Sequence, residues 1–573
     1  MKMLGRLWEY GKGYRYAMIL LPLAILAQVG LETWIPYLMG EMLDSGIYSG
    51  DLNLILKQGG RMALASVVMM AMGLAISRLI ALWSAGVTRN MRDALFARAQ
   101  ALAFADTDEY GTAAILTRMS TDMNYVKKGL GMFHSLLHSP MTVVVTLTVT
   151  ANVYPQATNI FVLGAGGFIV INIFVVRFAL QHYRNMFRRY DDLNELLEEN
   201  VTAQKTVKAF ARENYEQARF DERAKLLRRE ARIAETVTML NEPLLNLVMD
   251  ICILAIILLS GKAIVNGEMQ TGDYFCLITY ANQILFQISI IALIMVPILN
   301  TKVSMDRIFE IVDHEPSVAD GEDTGAALTD GAVCFEDVSF HYSDSKDVLQ
   351  EINLDIRPGE FIGVIGSSGC GKTSLINLIP RFYDVSAGRV TVDGTDVRAF
   401  PLRTLRGGIG LVPQGSLLFS GTIAENLRWG NEDASPEEIV KAAAIAGAND
   451  FVMRFHEGYE TRISQGGTSV SGGQRQRLCI ARALISRPKI LILDDSLSAV
   501  DNATESSILD AFSRELKDTT VILVSQRFSS VRNANRIVVL DRGRVESVGT
   551  HDELLAGSEV YRELYETQRR TME

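Results

Sequence analysis

The chain has 573 residues, 48% of them apolar and 21% charged, with a formal net charge of -10 and a mean hydropathy of +0.15. At ~150 residues per domain, that length allows up to about four domains. The composition excludes a disordered or collagen-like chain, and the acidic balance argues against a general nucleic-acid binder. The cysteines Cys252, Cys276, Cys334, Cys370 and Cys479 show no CxxC spacing, so neither a zinc site nor a disulfide framework is indicated.

In chain order, the first segment is Met1–Tyr16, where Trp8, Tyr10, Tyr14 and Tyr16 stand among Lys and Arg. That mixture suits an interfacial elbow. It lacks a cleavage site after a short apolar core, so a removable signal peptide is not expected. A membrane helix needs ~20 predominantly apolar residues. Six stretches qualify: Ala17–Met39, Arg61–Ala85, Phe133–Val153, Ala157–Phe178, Leu244–Val265 and Tyr274–Leu299. Buried soluble helices would show polar faces that these lack. The connections 40–60, 154–156 and 266–273 are short, whereas 86–132 and 179–243 are long and charged. The second long loop holds Arg184, Arg188, Arg189, Lys205, Lys208, Arg212 and Arg219. Lys and Arg near helix ends favour the cytoplasm, so the chain is predicted to sit in the cell membrane with both long loops and the N-terminus on the cytoplasmic side. Helical periodicity in Ala94–Leu102 and Tyr190–Phe210 predicts helical arms. About 20 extra residues on each helix would project it ~30 Å into the cytosol.

Polar groups inside the predicted spans include Glu32, Asp250, Asn282, Gln283 and Gln287. Intramembrane ionisable residues are functional candidates by default, although many serve only as interhelical hydrogen bonds. These five are the candidates for a substrate cavity.

Residues 316–330 form a polar, Gly/Asp-containing linker, and beyond it strands and helices alternate as in an α/β domain. The strand-like run Phe361–Ile365 leads into Gly366, Ser367, Ser368, Gly369, Cys370, Gly371, Lys372 and Thr373, followed by Ser374 and helical sequence. This is the Walker A pattern in its strand–loop–helix context. Its backbone N–H groups wrap phosphate oxygens. Lys372 supplies charge to the phosphates, and Thr373 is a ligand for Mg²⁺. The apolar run Ile490–Leu493 ends in Asp494 and Asp495, the Walker B arrangement with a carboxylate near the metal.

Between them stands Val470-Ser471-Gly472-Gly473-Gln474. With these three motifs in this order, the sequence resembles the ATP-binding-cassette (ABC) family over essentially its whole length, in the manner of an exporter half-transporter. The resemblance implies a six-helix all-α transmembrane domain over 1–315, the linker 316–330, and an α/β P-loop ATPase of the ABC type over 331–573. It implies ATP and Mg²⁺ as cofactors. Tyr342 matches the aromatic that stacks on adenine, Gln414 the Q-loop glutamine near the metal, and Ser498–Asp501 the D-loop. Ser471, Gly472, Gly473 and Gln474 would face the nucleotide of a second half-transporter. Gly111–Asp122 and Ala203–Glu213 resemble the two coupling loops. The substrate class implied is an amphipathic small molecule.

Two positions depart from the family pattern. Asp495 stands where a glutamate is usual, which withdraws the carboxylate by roughly 1.5 Å. Gln526 stands where a histidine is usual, and it cannot titrate near neutral pH. Misplacement of ~1 Å can cost ~100-fold in rate. The expectation is therefore a site that binds MgATP and hydrolyses it weakly, within a heterodimeric exporter whose competent site uses Ser471 of this chain. The alternatives are a homodimer with slow turnover, a lipid flippase or importer on the same architecture, and a regulatory ATP-sensing subunit.

Overall fold

The computed structural model describes residues 2–323, 325–342 and 346–572; Thr324 of the predicted linker lies outside them. The described chain divides into two units, one made of residues 1–100 and 113–314, the other of 101–112 and 315–573.

In the first unit, six helices among the described residues are long and apolar enough to cross a membrane. They are span 1 (Arg15–Ile47), span 2 (Leu52–Ala101), span 3 (Thr112–Val153), span 4 (Pro155–Thr202), span 5 (Glu213–Val265) and span 6 (Thr271–Val312). Each contains its predicted apolar stretch. Spans 2 to 6 run well past it, because helix-forming charged sequence continues the same backbone hydrogen bonding once the apolar run ends. Pro155 opens span 4 at its first turn, where its missing N–H costs nothing. The second long loop is a pair of arms joined by a short helix, Gln204–Ala209. The arms are cross-linked by His182 Nδ1 and Glu230 Oε2 at 3.0 Å.

The elbow is a helix, Lys2–Tyr10. Arg6 pairs with Asp313 and lies 4.7 Å over the Phe309 ring, so the elbow is fastened to the end of span 6. Spans 3 and 6 are tied at the same level. Asp122, 1% exposed, accepts hydrogen bonds from Ser304 Oγ at 2.8 Å and Arg307 at 2.5 Å, and Arg118 donates to Glu310 at 2.7 Å.

The second unit carries strands β1 (Val333–Phe340), β2 (Leu349–Ile356), β3 (Phe361–Ile365), β4 (Ala387–Val392), β5 (Thr395–Asp396), β6 (Ile409–Val412), β7 (Gly421–Thr422), β8 (Arg462–Ile463), β9 (Ile490–Asp494), β10 (Thr520–Val524), β11 (Arg536–Asp541) and β12 (Arg544–Gly549). Six form one sheet in the order β12-β11-β3-β10-β9-β6, parallel except at the β11–β12 edge. β9 and β10 are buried at every position, as a sheet covered on both faces requires. A smaller antiparallel sheet, β2-β1-β4-β5, stands beside it. The loops after β3, β6, β9 and β10 therefore converge at one end of the parallel sheet, where ligands of open α/β folds bind.

The first long loop departs from expectation. Its tip helix is Phe104–Tyr110, and it belongs to the second unit. Asp106 accepts the Ala103 N–H at 2.9 Å and the Ser317 N–H at 3.1 Å. Phe104 packs on Phe382 with centroids 4.4 Å apart. Gly111, at φ +76°, ends the helix. From Thr112 on, the stretch Gly111–Asp122 forms the start of span 3, and its second half is tied to span 6 as above.

Candidate functional site

β3 delivers the chain directly into the loop 366–371. Gly369 and Gly371 hold φ of +80° and +103°, where side chains are strained. A Cβ on Gly366 would meet the Leu540 carbonyl oxygen at 2.2 Å. Lys372 opens the following helix, Lys372–Asn377. It is 8% exposed, and its Nζ donates to the carbonyl oxygens of Gly366 at 2.7 Å and Ser367 at 2.8 Å. The ammonium thus sits inside the ring of backbone, with Cys370 Sγ at 3.7 Å. Ser367, Ser368, Gly369 and Thr373 are exposed, on the side open to a ligand. The arrangement fits a polyphosphate: a charge at the centre and backbone N–H groups around it.

Thr373 Oγ1 lies 3.0 Å from Asp494 Oδ2 and 3.3 Å from Oδ1. Asp494 ends β9 and is 4% exposed. Burial, with the neighbouring Asp495 carboxylate, raises its pKa against the pull of the Thr373 hydroxyl and the Lys372 ammonium. A buried carboxylate and a hydroxyl facing each other are hard oxygen donors, so these residues fit Mg²⁺. Gln414, the third expected ligand, is exposed just past β6, whose last residue Val412 pairs with Leu493 beside Asp494.

Tyr342 donates to or accepts from Ser374 Oγ at 2.9 Å. Its ring meets Tyr383 edge-on, with centroids 5.2 Å apart. Tyr383 in turn donates its hydroxyl to Asp108 Oδ2 at 2.7 Å. Burial and the Asp108 carboxylate push the Tyr383 pKa up, so its proton stays in place at physiological pH. A continuous path thus runs from the tip helix through Tyr383 and Tyr342 to Ser374 beside Lys372. Sequence reading finds Tyr342 but gives no hint of Tyr383 or Asp108, because 275 residues separate that pair.

Asp495 has φ of +46°, a conformation that aspartate tolerates better than most residues. Its N–H donates to the Val524 carbonyl oxygen at 2.9 Å. Burial raises the pKa of its carboxylate despite Arg527 and Lys372. Gln526 is exposed. The loop around it is gripped from both sides. Gln568 on the C-terminal helix Glu559–Met572 donates to the Gln526 carbonyl oxygen at 2.7 Å and accepts the Phe528 N–H at 2.9 Å. Arg527 donates to the carbonyl oxygens of Ser498 at 2.6 Å and Val500 at 3.2 Å and pairs with Glu505 at 3.1 Å. Neither Gln568 nor Arg527 is marked by any local motif.

Ser471 is exposed and caps the helix Gly472–Ile485. Its Oγ accepts the Gln474 N–H at 3.3 Å, and Gln474 Oε1 accepts the Ser471 N–H at 3.0 Å. A Cβ on Gly473 would meet the Ala499 carbonyl oxygen at 2.7 Å. Gln476 accepts the Ala499 N–H at 3.0 Å, so the cap and residues 498–501 are held together.

Among the intramembrane candidates, Glu32 pairs with His138 on span 3 at 3.0 Å. Gln283 lies at the 3.5 Å limit from Thr146 Oγ1. Asn282 donates back to the Ile278 carbonyl oxygen of its own helix at 2.9 Å, and Gln287 is 6% exposed. Asp250 is exposed on span 5. The structure does not gather the five into one cluster.

Two family models match the chain: "ABC transporter" over residues 349–498 and "ABC transporter transmembrane region" over residues 18–289. A Bacillus subtilis relative named "Uncharacterized ABC transporter ATP-binding protein YfiB" is 32% identical over 546 residues, covering 95% of each chain. An "ATP-dependent lipid A-core flippase" of Chromobacterium violaceum is 31% identical over 573 residues, covering 98% of this chain and 97% of the relative. A solved structure titled "Structure of a bacterial Atm1-family ABC exporter with ATP bound" superposes with a TM-score of 0.81 at 24% identity, over 97% of this chain and 98% of that one. This last likeness is one of fold.

Proposed function

This chain belongs to the ABC transporter family, a multi-pass membrane protein fused to its own ATP-binding domain, and on that premise we propose that it is a half-transporter that pairs with a second half and exports or flips an amphipathic molecule. The observation that carries the reading is the juxtaposition of Lys372, Thr373 and Asp494 in a chain that also supplies six membrane-length helices. The Chromobacterium relative's name adds lipids to the drug-like molecules among candidate cargoes.

The chain's own residues divide the work. Backbone N–H groups of 366–371 and Lys372 bind the phosphates, and Tyr342 offers a ring for the base. Thr373 and Asp494 hold Mg²⁺, which when bound spreads the charge that develops on the transferred phosphoryl group. Ser471 and the N-terminus of the Gly472–Ile485 helix present a hydroxyl and backbone donors to the nucleotide of the other half. The tip helix, Tyr383, Tyr342 and Ser374 form a path by which closure of the ATP site is felt at the tip helix. In proteoliposomes, ATP-dependent movement of a fluorescent amphipath or lipid tests this, and Lys372→Ala should abolish it. Movement that continues unchanged in that variant refutes it.

A finer reading follows from Asp495, one methylene shorter than the glutamate usual at this position. Its left-handed backbone and short side chain place the carboxylate poorly to polarise a water at the phosphate. We propose that this site hydrolyses slowly and that the partner is a different chain carrying glutamate and histidine at these positions. A pair of identical chains satisfies the same architecture and differs in one measurable respect: brisk ATPase activity from this chain alone. Asp495→Glu with Gln526→His should raise turnover at this site; no change means that these two residues do not limit it.

A further inference from the structure

Spans 1, 2 and 3 line an open cleft of about 350 Å³. Its wall is built from helical repeats. Gln28 and Glu32 lie four apart on span 1, and His134 and His138 four apart on span 3, so each pair shares one face. Met69 and Met70 come from span 2. The volume falls within the ~300–1,000 Å³ of small-molecule sites. Glu32 stands near the middle of span 1, where an ionisable group is expensive to keep.

Two acceptor oxygens distinguish the wall. Glu32 Oε2 is engaged by His138 Nε2 at 3.0 Å. Its Oε1 makes no hydrogen bond among the described residues, and the side chain is 28% exposed, against 10% for His138. Gln28 Oε1 is buried with no hydrogen-bond partner. Two acceptor oxygens are thus unspent on the same wall. His134 stacks on His138 with centroids 4.8 Å apart and rings inclined by 21°. Protonating both would set like charges face to face. Met69 and Met70 add polarisable thioethers that adapt to varied shapes. On span 6, which packs against spans 1 and 3, Tyr280 donates its hydroxyl to the Thr33 carbonyl oxygen at 2.8 Å and brings no charge.

We propose that this cleft is a binding site for an amphipathic organic cation. The cationic head sits against Glu32 Oε1 and Gln28 Oε1, and the apolar body lies along Met69 and Met70. His138 holds the carboxylate in place from the opposite side. A permanently charged cation suits the wall because the Glu32 carboxylate and the Gln28 carbonyl oxygen offer it negative charge while the thioethers meet its apolar body. An anion would face two bare oxygens.

The assignment deepens the transport reading and rests on it for the purpose of the site, yet binding is measured without ATP, so the two fail separately. The full chain is placed in lipid nanodiscs and titrated with tetraphenylphosphonium and with tetraphenylborate, matched in shape and opposite in charge. Empty nanodiscs correct for partition into lipid. The expected result is saturable binding of the cation at least ~10-fold tighter than of the anion. Glu32→Gln should remove that preference. Binding of a fluorescent ATP analogue checks that the variant has folded. Equal affinity for the two probes overturns the proposal, as does a preference for the anion. So does a Glu32→Gln variant that keeps the wild-type preference. Cation binding with no ATP-driven movement leaves the site standing and sinks the transport reading instead.

Discussion

Replacing Tyr383 by phenylalanine deletes one oxygen from the path between the tip helix and the ATP site. The lost contact is the 2.7 Å hydrogen bond to Asp108. A hydrogen bond to a charged group contributes ~1.5–3 kcal/mol when protected from water. Asp108 is exposed, so solvent screening reduces the figure to ~0.5–1 kcal/mol. If that tie is made fully only as the site closes, kcat for ATP hydrolysis falls about two- to fivefold. The ring survives and still meets Tyr342 edge-on, so KM for ATP should stay within about twofold. The assay is steady-state hydrolysis by the reconstituted full chain with its partner half, in a cycle with Asp108→Ala. Because the two residues act through one bond, the double variant should be no slower than the slower single one. Multiplying effects refute the path, and so does a rise in KM with kcat unchanged.

Three further outcomes follow from the same geometry. Thr373→Ala removes a metal-facing oxygen and should weaken binding of a fluorescent ATP analogue at least ~10-fold in Mg²⁺, with little change in EDTA; equal losses in both would place Thr373 elsewhere. Gln568→Ala removes both bonds around the switch loop, together roughly 1–3 kcal/mol, so hydrogen exchange at the Phe528 amide should quicken and turnover fall; unchanged exchange argues against the clamp. His551, whose Nδ1 is 2.7 Å from Tyr561 Oη, has a pKa lowered by burial and by Arg532. The unfolded chain therefore takes up the proton more readily, so this contribution is complete above the unfolded value of ~6.5 and is lost as pH falls through the depressed folded value. The melting temperature of wild type should drop more steeply below pH ~6.5 than that of His551→Gln, and parallel curves would remove His551 from the account.

What was legible in the sequence was local. Phe361–Ile365 is a strand with the bounds its apolar run implied, and Lys372 and Thr373 follow it because a phosphate loop is written in consecutive residues. The six apolar runs are legible for the same reason: the bilayer reads length and hydropathy. The tip of the first long loop was not, since Phe104–Tyr110 has no apolar period and is set by Asp106 capping Ala103 and by its seat on Phe382. The partners that give site residues their meaning were not legible either. Glu32 and His138 lie 106 residues apart, and Gln526 and Gln568 lie 42 apart. No spacing rule joins residues that meet only through packing. Asp495 was singled out for its length. Its left-handed backbone and its N–H bond to the Val524 carbonyl oxygen emerge only in three dimensions.

The cap that Ser471 closes with Gln474 has a consequence for assembly. Each of the two residues already satisfies the other's amide, so at that corner a solitary subunit leaves only the Gly472 and Gly473 N–H groups open. Two halves meeting without nucleotide would gain almost nothing there, and only an incoming anion could persuade the serine to change allegiance. At that corner, what pairing has to offer arrives with the nucleotide.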